Sequence, residues 1–252
     1  MNRQRIGPIR HGRPGGSLAA MPNRTASKGT LALIGGDEWG EHHLALDRRL
    51  LEISGGSEVV VLPTAAAFEH PDRVGVAATA HLATLGVTTK TVRVLNRRDA
   101  QDPANVDAVR SAKFVYLADG SPMHLRSVLK SSDLYEAMLA AYRGGAVIAA
   151  CGAGATVICD PMVDPRGGAY TVGLGFVSGV AVFPYHGTAA SHLLQRSVEL
   201  KPADAVLAGV DAETALIREP GAAWSVSGAG NVTLYAADVT TYSDGATGLA
   251  LP

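Results

Sequence analysis

At 252 residues the chain is long enough for one large α/β domain or two small ones. Apolar residues make up 47% of it and charged residues 18%, a balance that suits helices packed on a sheet and excludes a disordered or coiled-coil protein. The formal net charge is −1 with acids and bases interspersed, so no basic field exists to hold a nucleic-acid backbone.

The first 28 residues are rich in Arg, Gly and Pro and show no apolar period, which predicts a disordered leader, with Met21 as a second candidate start. A secretory signal would need a continuous apolar stretch after the basic start, and none stands there. Nor does any segment approach the roughly 20 apolar residues that span a bilayer, so a soluble protein without a membrane partner is expected. Cys151 and Cys159 form neither a disulfide framework nor a CxxC knuckle, which fits a reducing cytoplasm. Residues 29–252 read as a single domain.

From residue 30 onward short apolar runs alternate with helix-length stretches. Leu31–Ile34, Glu58–Leu62, Thr91–Leu95, Phe114–Leu117 and Ala146–Ala149 read as strands buried on both faces. His42–Ile53, Asp72–Leu85, Ala104–Ser111 and Met123–Tyr142, broken near Ser131, read as helices. This alternation predicts a mostly parallel sheet covered on both sides. Beyond Cys159, the runs Val172–Phe183, Val206–Gly209, Thr214–Arg218, Ala223–Val226 and Asn231–Ala236 are strand-like and closely spaced, and predict an antiparallel C-terminal extension.

Ligands of open α/β sheets collect at the carboxyl ends of strands, which singles out the loops Gly35–Gly40, Ala118–His124 and Ala150–Ala155. In the third, a buried strand runs through small residues into a helix beginning near Ala153. That is the layout of a nucleophile elbow, where small flanks relieve crowding in a strained turn. Ala150 and Gly154 are the flanks and Gly152 stands at the apex, without a nucleophile. The same pattern also fits a tight glycine-rich turn that packs a helix on a strand.

Several separated segments favour the elbow. Leu33-Ile34-Gly35-Gly36-Asp37-Glu38, Leu62-Pro63-Thr64-Ala65, Asp119-Gly120-Ser121-Pro122-Met123-His124-Leu125 and Ala149-Ala150-Cys151-Gly152-Ala153-Gly154-Ala155 follow one another in order. After them come Gly173-Leu174-Gly175-Phe176-Val177-Ser178-Gly179, then Phe183-Pro184-Tyr185-His186, then Gly209-Val210-Asp211-Ala212-Glu213-Thr214-Ala215-Leu216. The series resembles the dipeptidase E/cyanophycinase family of serine peptidases. That family has a strand–GGG(E/D) start, a PTA-type turn, a GG(N/D)(Q/P)xxL loop, a GG(T/S)SAGA elbow, a GLG run leading to a histidine, and a G(I/V)DExTAL segment. The resemblance implies a three-layer α/β sandwich like the class I glutamine amidotransferases, flavodoxin-like in its sheet. It also implies a serine peptidase ancestry directed at small, acidic or isopeptide-linked peptides.

Carried over residue by residue, the family's serine falls on Gly152 and its general base on His186. The oxyanion donors fall on Gly120 and Ala153, with Asp119, Ser121 and Gly36 beside them as substrate-binding positions. Its acidic partner aligns with Ala212, leaving Asp211 and Glu213 as candidates on either side. A base without a nucleophile cannot start covalent catalysis, so hydrolysis is expected to be lost or weakened. The remaining cleft would bind a small peptide or amino-acid-like ligand.

Two other readings stay open. Cys151 with His186 would make a cysteine-dependent hydrolase or amidotransferase-like enzyme, although its place before the apex favours a small buried residue. Alternatively, the scaffold serves only as a regulatory or assembly surface, self-association included. His42 and His43 lie near Asp37 and Glu38, but adjacent helical side chains diverge by about 100°, so a solvated first turn is expected rather than a metal site. No cofactor motif is present, since Gly35-Gly36-Asp37-Glu38-Trp39-Gly40 is not GxGxxG. Ser121-Pro122 reads as a helix cap.

Overall fold

The computed structural model describes residues 29–252; the expected leader and Met21 lie outside them. The first half of the chain alternates strand and helix. Its elements are β1 (Thr30–Ile34), α1 (Leu44–Ser54), β2 (Glu58–Leu62), α2 (Pro71–Ala83), β3 (Thr88–Thr91) and α3 (Pro103–Arg110). They continue with β4 (Phe114–Leu117), α4 (Pro122–Leu129), α5 (Asp133–Arg143), β5 (Val147–Cys151) and α6 (Ala153–Ile158). Short strands β6 (Cys159–Asp160), β7 (Met162–Val163), β8 (Tyr170–Thr171) and β9 (Val177–Ser178) lead to β10 (Val180–Phe183), α7 (Ser191–Glu199) and β11 (Val206–Val210). The chain ends with β12 (Thr214–Arg218), β13 (Trp224–Gly228), β14 (Asn231–Tyr235) and β15 (Val239–Ser243).

The central sheet has seven strands in the order β13-β12-β1-β5-β4-β2-β3. Five of them pair in parallel from β1 to β3, β12 adds antiparallel to β1, and β13 adds antiparallel to β12. Parallel strands are buried on both faces, and the sequence answers with unbroken apolar runs such as FVYL and VIAAC. Because side chains alternate, Leu31 and Leu33 enter one core cluster while Ala32 and Ile34 enter the other. Helices α1 and α2 cover the second face through Leu46, Leu50, Ala78 and Leu82, and α3 to α6 cover the first. The mixed α/β sandwich with a mostly parallel sheet is thus the architecture the sequence implies.

Three differences from the sequence reading have local causes, and one expected break is present. The strand expected over Thr91–Leu95 pairs instead at Thr88–Thr91, because Val92 and Val94 are buried beyond the end of the ladder; their apolarity marks burial, not pairing. The break expected near Ser131 is there: it separates α4 from α5, Ser131 takes φ +55, and Ser132 restarts the helix by accepting a hydrogen bond from the Tyr135 N–H at 3.1 Å. The antiparallel extension comprises only β12 and β13. The strands β10, β11, β14 and β15 form a second sheet in the order β10-β11-β14-β15, reached through the turn at Asp211–Glu213, where Glu213 takes φ +52. Its Val182, Ala208, Val210 and Val232 join the same core cluster as β1 and β5. Helix α7 has no counterpart in the sequence reading: Leu193, Leu194 and Val198 are only partly buried, against Ala181, Phe183 and Leu207, so its apolar stripe is short.

Candidate functional site

Strands β1, β5 and β4 are neighbours, so the three loops leaving their carboxyl ends meet. They are tied by hydrogen bonds. The Asp119 N–H donates to Glu38 Oε1 at 3.0 Å, the Cys151 thiol donates to Glu38 Oε2 at 3.2 Å, and the Ala153 N–H donates to Asp119 Oδ1 at 2.6 Å. Glu38 is 7% exposed, and burial, outweighing its hydrogen bonds, raises its pKa above the ordinary carboxylate value.

Between β5 and α6 the chain turns sharply at Gly152, with φ +49 and ψ −104. This is the strained conformation of an elbow, which L-residues rarely adopt. A Cβ on Gly152 would lie 2.2 Å from Cγ and Oδ1 of Asp119 and 2.3 Å from its Oδ2. The carboxylate of Asp119 therefore fills the space in which an apical side chain would stand. It is fixed there by the N–H groups of Gly120, at 2.7 Å, and Ala153, both on Oδ1, and by the Tyr185 hydroxyl, which donates to Oδ2 at 2.6 Å. Gly120 takes φ +142 and packs against the Pro63-Thr64-Ala65 turn, where a Cβ would meet the Ala65 carbonyl at 2.5 Å. Ser121 caps α4.

Tyr185, also in a left-handed conformation at φ +52, points its ring across Gly36, whose missing side chain gives it room: a Cβ there would lie 2.2 Å from Cζ. Burial first, and then the bond to Asp119, pushes the Tyr185 hydroxyl far above its usual value, so it stays a donor. His186, next in the chain, turns the other way. Its Nδ1 donates to Asp211 Oδ1 at 3.1 Å and its Nε2 pairs with the Tyr235 hydroxyl at 2.8 Å. Asp211 is thus the acid beside His186, whereas Glu213 accepts from the His42 N–H at 3.2 Å in the β1 loop. The ring that reaches the elbow belongs to Tyr185, a residue the sequence reading quoted without a role. Its signal was available: it stands directly after Pro184 in the segment that the resemblance singled out.

Cys151 lies on the other face of β5, fully buried in the cluster beneath α1 and α2. Burial, followed by the nearby charges of Glu38 and Asp119, pushes its thiol well above the ordinary range and keeps it protonated.

His42 is exposed, but His43 is not in a solvated turn. It is fully buried, and Asp47 Oδ2 accepts from His43 Nδ1 at 3.0 Å and from His81 Nε2 at 2.8 Å. Among the described residues these three form the group able to hold a metal, their donor atoms lying within 4.8 Å of one another. As they stand they clasp α1 to α2.

A cavity of about 260 Å³ opens beside the elbow, between α6, the β7–β8 turn, the end of β10 and α7. Asp119, Gly120, Ala153 and Tyr185 form its floor.

The model of peptidase family S51 matches residues 31–223. The chain belongs to that family. The S51 chain is similar over 88% of its length to the crystal structure of a peptidase from an acI-B1 Actinobacterium, covering 97% of that chain at 26% identity and a TM-score of 0.80. It also shares its fold with a protein assigned as a peptidase E from Listeria monocytogenes EGD-e. There the identity is 16% and the TM-score 0.63, over 81% of this chain and 100% of the other. Comparison with curated proteins finds no match. Among the described residues no helix is long and apolar enough to cross a membrane.

Proposed function

We propose that this S51 chain binds a small peptide or amino-acid-like ligand in the cavity beside the elbow and does not hydrolyse it by a covalent serine mechanism. The observation that carries the reading is the carboxylate of Asp119 in the space above Gly152. In the resemblance, Asp119 aligns with a glycine of the family's GG pair and Gly152 with its serine. The two positions are in contact, so a carboxylate has been gained where a hydroxyl has been lost. A tetrahedral intermediate needs free N–H donors aimed at its oxyanion, yet those of Gly120 and Ala153 both serve Asp119 Oδ1. Tyr185, with its tightly held proton, supports the same reading because it is not poised to act as a base.

The cysteine-dependent alternative has little to support it, since the thiol is buried on the other face and held protonated by its surroundings. A fluorophosphonate probe tests the proposal. The native protein is expected to remain unlabelled and to leave Asp-containing dipeptides intact. Stoichiometric labelling of any serine in the cleft, or turnover of such a dipeptide, would sink it.

A further inference from the structure

We infer that the cavity beside Asp119 selects a protonated amine carried on an apolar body, an inference that rests on the non-hydrolytic reading above and names its ligand class. The walls are made by Pro122, Val163, Phe183, Pro184, Ala189 and Leu193. Such a surface gains free energy by covering hydrocarbon, about 25 cal/mol per Å². At about 260 Å³ the cavity is smaller than the roughly 300 Å³ at which drug-sized pockets begin, so the body is small.

Charge decides the rest. Two carboxylates line the cavity, Asp119 and Asp164. Asp164 is already answered by Arg166, whose Nε donates to Oδ1 at 2.9 Å and to Oδ2 at 3.2 Å. Asp119 has three donors, all neutral, and among the described residues no cation pairs with it. A carboxylate oxygen accepts about two hydrogen bonds. Oδ1 is filled by two N–H groups, whereas Oδ2 holds only the Tyr185 hydroxyl and keeps one acceptor position. Asp119 is partly buried, so holding its charge without a counter-charge carries a cost, and a ligand ammonium group would reduce that cost while using the open position. A ligand carboxylate finds no free cation in the lining and is repelled by Asp119. The fit is therefore to an alkyl- or aralkylamine, or to the free amino terminus of a peptide with an apolar first residue, rather than to a free amino acid or an acidic peptide.

Isothermal titration with phenethylamine, 2-phenylethanol, 3-phenylpropionic acid and phenylalanine tests this, because the first three share one body and differ in the head group. The amine is expected to bind at least tenfold more tightly than the alcohol and the acid, and phenylalanine to bind no better than the alcohol. Asp119→Asn keeps an acceptor for the two N–H groups but removes the charge, and should abolish the amine's advantage. Leu193→Trp, which fills the cavity away from the carboxylate, should remove binding of amine and alcohol alike even if the asparagine variant does not fold. Equal binding of amine and alcohol, preference for the acid, or no binding of the amine at millimolar concentration overturns the inference. Fluorophosphonate labelling of the same preparation reads the non-hydrolytic proposal separately, so labelling with the amine preference intact would refute only that proposal.

Discussion

Adding one methyl group at Gly152 should unsettle the whole site. The new Cβ of Gly152→Ala would stand 2.2 to 2.3 Å from the three terminal atoms of Asp119, well inside van der Waals contact, so the carboxylate must leave. Its departure breaks the bonds from Gly120, Ala153 and Tyr185. Hydrogen bonds to a charged acceptor are worth about 1.5–3 kcal/mol each, and because Asp119 is partly exposed, rehydration recovers part of that sum. Holding a non-glycine residue at φ +49 adds about 1–3 kcal/mol. The net loss expected is about 3–5 kcal/mol, a large share of the roughly 5–15 kcal/mol that stabilises a typical domain. For a chain of this size that is a fall in Tm on the order of 10 °C. Gly152→Ser should lose stability in the same way, because its Cβ meets the same three atoms of Asp119. Asp119→Gly removes the competitor, so the double variant should recover about 2 kcal/mol or more of coupling energy in a urea-denaturation cycle. Additive effects, with Gly152→Ser as stable as the wild type, would refute the claim that the two positions share one space.

The remaining predictions concern two buried groups. Burial alone would raise the Asp47 pKa, but hydrogen bonds from His43 and His81 and their charges outweigh it, so the folded value lies below the ordinary 3.8. A depressed carboxylate contributes stability that is present above its unfolded value and is lost as pH falls through the folded one. Asp47→Asn should therefore lower stability near neutrality by about 1.5–3 kcal/mol and flatten the loss below pH 3.8, measured by urea denaturation across pH; an unchanged acid limb would show that the clasp is not ionised. Cys151 should react with iodoacetamide at the slow rate of a buried thiol, accelerating only in denaturant. Rapid native-state alkylation would revive its candidacy as a nucleophile.

Much of the scaffold was legible in the sequence because the physics behind it is local. Runs such as EVVVL and FVYL suit strands covered on both faces, and their boundaries match the strands to the residue. The cluster Ala150-Cys151-Gly152-Ala153-Gly154 announces a crowded turn whatever surrounds it, and the chain makes that turn with φ +49. The three loops at the strand ends could be named because parallel strands place them at one edge. Local pattern was silent where partners came from afar. The apolar stretch beyond Cys159 does not say which sheet each strand joins, and β10 and β11 left the main sheet for their own. Tyr185 and His186 are neighbours in sequence, but a left-handed residue sends one ring to Asp119 and the other to Asp211 and Tyr235.

The sequence by itself determined that the turn after β5 carries no side chain at Gly152, since glycine has none to offer in any fold. Only the tertiary structure decided what occupies that place. Asp119 lies 33 positions before Gly152 and belongs to another loop, so nothing in the pattern around either residue links them. They meet because β4 and β5 are paired in parallel and their carboxyl ends open side by side. A contact made by sheet register and fixed by three converging donors is a property of the folded chain, absent from any segment read alone.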